Sequence, residues 1–225
     1  MLDPNAHMPI PDYDPTALIL FGGGGHGKTL IELVRAVGAY HWEAVVDDGL
    51  TPGSEVLGVP VVGGAEALPG LFARGIRLAV NGVGGINHPE VRLKVFEILA
   101  ANGFNCPALV HPTAWVDSSA RLEGGVQVLA QSYVSACAVI GYGSVLNAGV
   151  VVSHDCVIGK CVNLSPGALL AGGVRVEDFA QIGMGATINL NLTIGRGARV
   201  GNGATVKADV PPGAVVYAGS VYPPR

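Results

Sequence analysis

The chain has little that favours a nucleic-acid or membrane function. Its 225 residues carry 13 Lys and Arg against 17 Asp and Glu, a net charge of −4. We find no Lys/Arg cluster, which argues against nucleic acid as a partner. No apolar stretch reaches the roughly 18 residues that a membrane helix needs. No basic segment precedes an apolar one as in a signal peptide, so we expect a cytoplasmic protein without membrane insertion.

Metal-binding spacing and aromatic residues are also scarce. The four cysteines, Cys106, Cys137, Cys156 and Cys161, lack the spacing of a metal site. We therefore predict neither a bound metal nor a cysteine nucleophile. Aromatic residues make up only 6% of the chain, whereas it contains 34 glycines. This balance is typical of a turn-dense β-solenoid.

A six-residue repeat fills the second half of the chain. From Val116 to Val206 every sixth residue is Leu, Ile or Val, sixteen positions in succession. The residue two places earlier is usually small, so the two share one face of a short strand. Such a repeat indicates a parallel β-helix of about five coils, which we assign to residues 111–225. The period does not set the handedness, and right-handed crossovers are the general preference.

Residues 17–110 predict a Rossmann-like α/β half-domain behind a flexible arm, residues 1–16. A strand at Ala17–Phe21 runs into a glycine cluster, and a helix follows from about Lys28 to Val37. Gly22, Gly24 and Gly27 fit the G-x-G-x-x-G pattern, in which backbone N–H groups at a helix N-terminus bind an anion. Further strands are predicted at Glu43–Val46 and Ile76–Val80, and a helix at about Pro89–Ala101.

The ends of these strands supply candidate ligand contacts. Asp47 and Asp48 follow the second strand about twenty residues past the glycines, where an acidic residue can bond a ribose or a base. We assign the substrate site to the glycine cluster and three strand-end residues, namely Gly22, Gly24, Gly25, His26, Gly27, Asp47, Asp48 and Asn81.

Two other interpretations of the glycine cluster stay open. It can be a tight turn that packs helix on strand without a ligand, or part of an NAD(P)-dependent oxidoreductase. A full dinucleotide fold needs two βαβαβ halves, but only about 95 residues lie between Ala17 and His111. The available length favours a mononucleotide or nucleotide-sugar ligand.

One histidine, His154, lies in the repeat between Ala114 and Lys207, and Asp155 follows it. Imidazole can serve as a general base near neutral pH, and a carboxylate beside it can fix its tautomer. His154 is therefore our candidate base, and the alternative is a bystander at the surface. A zinc carbonic anhydrase of this fold would need three histidines on neighbouring coils, which the repeat lacks.

Taken together, Gly-x-x-Gly-His-Gly at Gly22–Gly27 and the segment from Ser153 to Gly159 resemble the NeuD/PglD-type sugar acetyltransferases. The resemblance implies a left-handed β-helix and a homotrimer that binds acetyl-CoA between its subunits. It also implies that His154 is the base, that Asp155 orients it, and that Asn147 lies near the reacting sugar. The glycine loop and the acids at Asp47 and Asp48 would hold a nucleotide sugar.

The same resemblance implies a cofactor surface with two departures. Asn163 stands where bacillosamine-type relatives have a second histidine, and the usual Gly-x-Pro-Ala-Lys/Arg tail is absent. We assign acetyl-CoA contacts to Asn163, Gly172, Gly173 and Lys207, and the two glycines are our candidates for a backbone N–H donor to the oxyanion of the reaction. The expected reaction is direct acetyl transfer to an amino group, in preference to a hydroxyl, of a nucleotide-linked sugar in glycan biosynthesis. The alternative is a non-catalytic protein that binds nucleotide sugars.

Overall fold

The computed structural model describes residues 13–86 and 89–224. Most of the predicted N-terminal arm, residues 1–16, lies outside the described residues. Within them, no helix is both long and apolar enough to cross a membrane.

The first domain is a parallel sheet flanked by helices. Its five strands lie in the order β3-β4-β2-β1-β5, and only β3 and β4 pair in antiparallel fashion. A short 3-10 helix, Ala65–Ala67, precedes α2. The elements are β1 (Ala17–Phe21), α1 (Gly25–Val37), β2 (His41–Val46), β3 (Glu55–Val56), β4 (Val59–Gly63), α2 (Leu68–Ala73), β5 (Leu78–Asn81) and α3 (Pro89–Ala101).

The alternation of side chains along β1 gives this sheet two apolar faces. Leu18 and Leu20 pack with α1, in a cluster that also contains Leu109 and Leu129 of the following domain. On the other face, Ile19 packs in a cluster with residues of α2 and α3. The α1 face thus joins the core of the sheet to the second domain, and the two domains share buried surface.

The second domain is a left-handed parallel β-helix, as expected. The described residues form nineteen two-residue strands in three sheets. We call the sheets the first, second and third faces, in the order in which the chain visits them. The strands of the first face are β6 (Leu109–Val110), β9 (Gln127–Val128), β12 (Val145–Leu146), β15 (Asn163–Leu164), β18 (Gln181–Ile182), β21 (Arg199–Val200) and β23 (Val215–Val216). Those of the second face are β7 (Trp115–Val116), β10 (Tyr133–Val134), β13 (Val151–Val152), β16 (Leu169–Leu170), β19 (Thr187–Ile188), β22 (Thr205–Val206) and β24 (Val221–Tyr222). Those of the third face are β8 (Arg121–Leu122), β11 (Val139–Ile140), β14 (Val157–Ile158), β17 (Arg175–Val176) and β20 (Thr193–Ile194).

Successive coils stack in a register of eighteen residues. Val134, for example, pairs with Val116 on one side and Val152 on the other. The sixth-position residues and the small residues two places before them point inward and form a buried core along the axis. A single coil cannot bury its apolar residues alone, since the coils above and below it complete the core. The repeat is therefore stable only as a stack.

Three boundaries differ from the sequence-based expectation. Pairing of β6 with β9 places the first strand of the solenoid just before residue 111. Helix α1 begins at Gly25 instead of Lys28, so three residues of the glycine motif form its first turn. The coils also continue past Val206, but with a change of period. The next inward residue is Val210, which forms a β-bridge with Ile194, whereas the six-residue period would place it at residue 212. A turn two residues shorter, followed by Pro211 and Pro212, shifts the repeat there.

Candidate functional site

The glycine cluster makes a close turn from β1 into α1. A Cβ at Gly27 would lie 2.1 Å from the carbonyl oxygen of Gly22, so the turn needs glycine at this position. Gly22 itself has φ of +99°, a region that glycine adopts readily. Gly24 and Gly25 are exposed, and a Cβ on either would meet open space. The N-terminus of α1 therefore presents backbone N–H groups to a surface that an anion can reach.

Two acids stand at the end of β2 beside this turn, with different partners. The Asp47 carboxylate accepts hydrogen bonds from the backbone N–H groups of Gly23, at 2.7 Å, and Gly49, at 2.8 Å. Asp47 thus holds the glycine turn in place. Asp48 is exposed and accepts a hydrogen bond from the Ala65 N–H at 3.0 Å through one oxygen. Its second oxygen accepts no hydrogen bond among the described residues, so it is available to a ligand.

His26 and Asn81 are directed away from solvent, towards the solenoid. His26 Nε2 lies 2.8 Å from Gln127 Oε1, and burial lowers the pKa of the imidazole to about 4, with the nearby Arg92 charge contributing. Asn81 donates to the Arg92 carbonyl at 2.8 Å and accepts from the Val83 N–H at 3.0 Å. Asn81 is buried, so these protein contacts use its amide. Substrate contacts by these two side chains stay a prediction that their burial does not favour.

His154 stands at the turn between the second and third faces, which we call the 2–3 edge. Its Nδ1 lies 2.7 Å from Asp155 Oδ2, and the two side chains are 62% and 67% exposed. Asp155 has φ of +58°, at a turn position that other coils often fill with glycine, and Asp tolerates this conformation better than most residues. Its carboxylate can therefore fix the imidazole with Nδ1 as the donor, which leaves the Nε2 lone pair free.

Gly172 lies one coil further along the 2–3 edge, under the histidine ring. A Cβ at this glycine would lie 2.6 Å from both Nε2 and Cε1 of His154. Gly173, beside it, has φ of +71°, and its N–H donates to the His154 carbonyl at 2.9 Å. This bond removes the Gly173 N–H from the groups that could stabilise an oxyanion. The Gly172 N–H, by contrast, makes no backbone hydrogen bond among the described residues.

The 2–3 edge continues to Lys207 through the eighteen-residue register. Ser153, Ala171, Asn189 and Lys207 occupy equivalent turn positions on successive coils. Three coil steps of roughly 4.8 Å place Lys207 about 14 Å from the His154 turn. The edge therefore combines an exposed imidazole, two positions without side chains at Gly172 and Gly173, and a lysine at its far end.

Asn147 and Asn163 lie elsewhere in the protomer. Asn147 is in the turn between the first and second faces, the 1–2 edge, and its Nδ2 donates to the Leu164 carbonyl at 2.8 Å. The same Nδ2 lies 3.5 Å from Asn163 Oδ1. Asn163 also lines a cavity of about 480 Å³, together with Ile86 of the first domain and Arg199. The whole second face separates this pair from His154, so one chain does not bring these predicted site residues together.

Sequence reasoning missed two buried polar residues between the domains, Arg92 and Gln127. A signal for Arg92 was present, because it falls on the same helical stripe as the buried Val95, Phe96 and Leu99. An arginine on an apolar stripe indicates a buried contact. Gln127 gives no such signal, since it occupies an ordinary outward position of the repeat.

The fold and the exposed His154–Asp155 pair define an acyltransferase of the hexapeptide-repeat class. The PglD N-terminal domain family matches residues 17–99. Over 92% of this chain and 95% of the other, the chain is 36% identical to the perosamine N-acetyltransferase of Caulobacter crescentus, solved with CoA and GDP-perosamine, with a TM-score of 0.86. It is also 36% identical to the acetyltransferase domain of PglB from Neisseria gonorrhoeae, solved with acetyl coenzyme A, over 91% and 97% of the two chains, with a TM-score of 0.83.

A third relative extends this likeness. WeeI from Acinetobacter baumannii is 29% identical over 90% of this chain and 97% of that chain, with a TM-score of 0.82. No curated protein sequence matches the chain. The chain belongs to the NeuD/PglD-type family of sugar acetyltransferases, and it is an acetyl-CoA-dependent enzyme. This membership excludes the oxidoreductase, carbonic anhydrase and non-catalytic alternatives.

Proposed function

We propose that the enzyme transfers the acetyl group of acetyl-CoA directly to an amino group of a nucleotide-linked sugar, with His154 as the general base. The observation that carries this proposal is the 2.7 Å contact between His154 Nδ1 and Asp155 Oδ2, with the ring seated over Gly172. That arrangement holds the ring with Nδ1 as the donor and leaves Nε2 at the surface, where it can accept a proton. The resemblance carried by Ser153–Gly159 implies the same role for this histidine.

The relatives support the choice of substrates. The Caulobacter crescentus enzyme is an N-acetyltransferase and was solved with CoA and GDP-perosamine together, in variants with one histidine replaced by Asn or by Ala. In the present chain, the open N–H groups at Gly24 and Gly25 and the free oxygen of Asp48 offer contacts for phosphates and for a ribose or base. A nucleotide-linked amino sugar provides all of these groups.

The reaction steps follow from this geometry. The amine attacks the thioester carbonyl carbon while His154 Nε2 removes one of its protons, and Asp155 stabilises the imidazolium that forms. The tetrahedral intermediate collapses with cleavage of the carbon–sulfur bond, and the proton passes to the departing CoA thiolate. The Gly172 N–H is the remaining backbone donor of the predicted pair for the oxyanion.

Direct attack agrees with the state of the buried thiols. Burial raises the pKa of Cys156 and Cys161, and raises that of Cys106 to about 12. Since the thiolate is the nucleophile, this shift disfavours these three cysteines as acyl acceptors, while Cys137 is exposed and falls outside this argument.

The outer surface of the second face supports a homotrimer. Trp115, Tyr133, Leu169 and Val221 lie in one outward column of this face, and all four are exposed. Contact between copies would cover these apolar side chains. Since the second face is bounded by the 2–3 edge and the 1–2 edge, packing of copies there can bring His154 of one copy towards Asn147 and Asn163 of another. We propose that the complete site lies between subunits and that acetyl-CoA runs along the 2–3 edge towards Lys207.

The test is release of free thiol from acetyl-CoA in the presence of a panel of UDP-, GDP- and CMP-linked amino sugars, with matched hydroxyl sugars as controls. We expect release with at least one nucleotide amino sugar, and an N-acetylated product by mass spectrometry. Thiol release only with hydroxyl sugars would overturn the amine assignment. Release only with sugars that lack a nucleotide would overturn the role of the glycine loop.

A further inference from the structure

A buried arginine joins the two domains. Arg92 lies on α3, is 1% exposed, and donates through Nε to the Gly143 carbonyl of the solenoid at 2.8 Å. Its Nη1 donates to the carbonyls of Asn81, at 3.2 Å, and Val83, at 2.8 Å, both in the first domain. One guanidinium thus binds the segment after β5 to a turn of the β-helix.

This arrangement is costly for packing alone. The guanidinium donates hydrogen bonds to neutral carbonyls and forms no salt bridge with a carboxylate among the described residues. Its Nη2 is buried and has no hydrogen-bond partner in the described part of the chain. Burial lowers the pKa of Arg92 to about 10, so it stays charged at neutral pH. A charge buried with one donor unused is difficult to explain by stability, since apolar groups often serve as well at such positions.

Gln127 makes a second polar contact across the same interface. Its Nε2 donates to the Asn81 carbonyl at 2.9 Å, which fixes the orientation of the amide and turns Oε1 towards His26. His26 must then donate from Nε2, because Gln127 Oε1 can only accept. His26 stands in the first turn of α1, directly after the exposed glycines. Gln127 therefore holds both the start of this helix and the end of β5.

Both contacts act on the path between the two candidate sites. At one end of this path, Gly82 packs closely on the glycine turn, since a Cβ there would lie 2.3 Å from the Gly22 carbonyl oxygen. At the other end, Ile86 lines the cavity of about 480 Å³ beside Asn163. Segment 81–86 thus runs from the glycine turn to the first face of the solenoid. Arg92 and Gln127 hold this segment through hydrogen bonds to its backbone carbonyls.

We propose that Arg92, Gln127 and His26 are positioning residues that fix where the first domain delivers the sugar relative to the acyl-transfer groove. This inference rests on the proposed function. A donor or acceptor misplaced by about 1 Å can cost on the order of 100-fold in rate without a loss of binding. The positioning residues should therefore affect turnover more than the affinity of either substrate.

The test compares Arg92→Met and Gln127→Leu with wild type. We expect kcat with the nucleotide amino sugar to fall about 10- to 100-fold in Arg92→Met and about fivefold in Gln127→Leu. The dissociation constants of CoA and of the nucleoside diphosphate, measured by calorimetry, should stay within twofold. Arg92→Lys, which keeps one charged donor, should recover part of the lost kcat.

Arg77→Met is the matched control, because Arg77 also bonds backbone carbonyls, those of Phe72 and Ile76, but inside the first domain. It should leave kcat within twofold. If Arg92→Met and Gln127→Leu keep wild-type kcat, or weaken nucleoside diphosphate binding by the factor lost in kcat/KM, the positioning role is wrong. If wild-type enzyme acetylates no nucleotide amino sugar, the proposed function itself fails, and these variants are not the cause.

Discussion

The two domains place their polar groups in different ways. In the β-helix every coil repeats the same inward columns, and the distinctive groups are departures from the repeat at one edge, a histidine at His154 and a missing side chain at Gly172. In the α/β domain no element repeats, and the polar groups stand where strands end, at Gly22, Asp48 and Asn81. The β-helix is a regular stack with local exceptions. In the α/β domain, the parallel strands end at one edge of the sheet and place these residues there.

This difference predicts separable effects of mutation. A turn residue of the β-helix can change without loss of the core, because the inward columns carry the stability of the stack. A residue of the glycine turn contacts several elements at once, so its structural and binding roles overlap. We therefore expect changes at the 2–3 edge to act on turnover, and changes at the exposed glycines to act on binding of the nucleotide sugar.

The largest effect should come from His154→Ala. General-base catalysis contributes about 10²–10⁴-fold, or roughly 3–5 kcal/mol in barrier, so kcat should fall by that factor. Affinity for the nucleotide sugar should stay nearly unchanged, because we assign the nucleotide site to the other domain. Asp155→Asn should cost less, since the base remains. Steady-state kinetics with both substrates varied would measure this.

The pH profile provides the control for His154. If His154 is the general base, kcat/KM of the wild type should depend on pH through this group, and His154→Ala should lose that dependence. If the variant keeps more than about a third of wild-type kcat with its pH dependence intact, His154 is a bystander and the role of the 2–3 edge is wrong.

Gly172→Ala should produce the next largest effect. The new Cβ would lie 2.6 Å from the His154 ring, so the imidazole must move away from its present contact with Asp155. We expect kcat to fall about 10- to 100-fold, with little change in melting temperature. In the His154→Ala background the same change should cost almost nothing, since the ring is gone. Additive losses in the double variant would mean that Gly172 acts on acetyl-CoA and not through the histidine.

The repeat made the β-helix predictable from sequence, and the first domain was only partly so. A period sustained over sixteen positions averages out local exceptions, so it located the strands from β7 to β22. It missed β6, which precedes Val116, and the strands that follow the shorter turn before Val210. In the first domain, β3 and α2 were missed because they are short. Strand β4 was missed because its outward positions hold Pro60 and Val62, so no polar residue alternates with the buried ones. The His154–Asp155 contact was expected from adjacency. The separation of Asn147 from His154 was not, since it depends on which face each turn follows.

A smaller effect should appear in the acid stability of the domain interface. Burial lowers the pKa of His26 to about 4, against an ordinary value of 6.5. As pH falls from 6.5 towards 4, the unfolded chain binds a proton that the folded chain does not, so stability decreases. The free energy of unfolding should drop by about 1.6 kcal/mol from this group between pH 6.5 and 5.

Urea unfolding of wild type and His26→Gln at fixed protein concentration would measure this contribution. The variant should show a decrease smaller by about 2 kcal/mol between pH 7 and 5. Between pH 7 and 8, above both pKa values, the two proteins should respond alike to pH. Equal acid sensitivity of the two proteins at pH 5 would mean that His26 is more solvated than the interface indicates.

The smallest effect tests the glycine turn as a binding surface. A Cβ at Gly24 meets no atom within 4 Å, so Gly24→Ala should leave the melting temperature nearly unchanged. If the nucleotide phosphates approach the backbone there, the methyl group should raise KM for the nucleotide sugar about tenfold, or ~1.4 kcal/mol, and leave KM for acetyl-CoA unchanged. Gly27→Ala is the matched contrast, since its Cβ would lie 2.1 Å from the Gly22 carbonyl oxygen and should destabilise the fold itself. An exposed methyl group at the N-terminus of α1 can affect acetyl-CoA binding only if the two substrates share one site. Equal changes in both KM values for Gly24→Ala would therefore mean that the substrates are not divided between the domains.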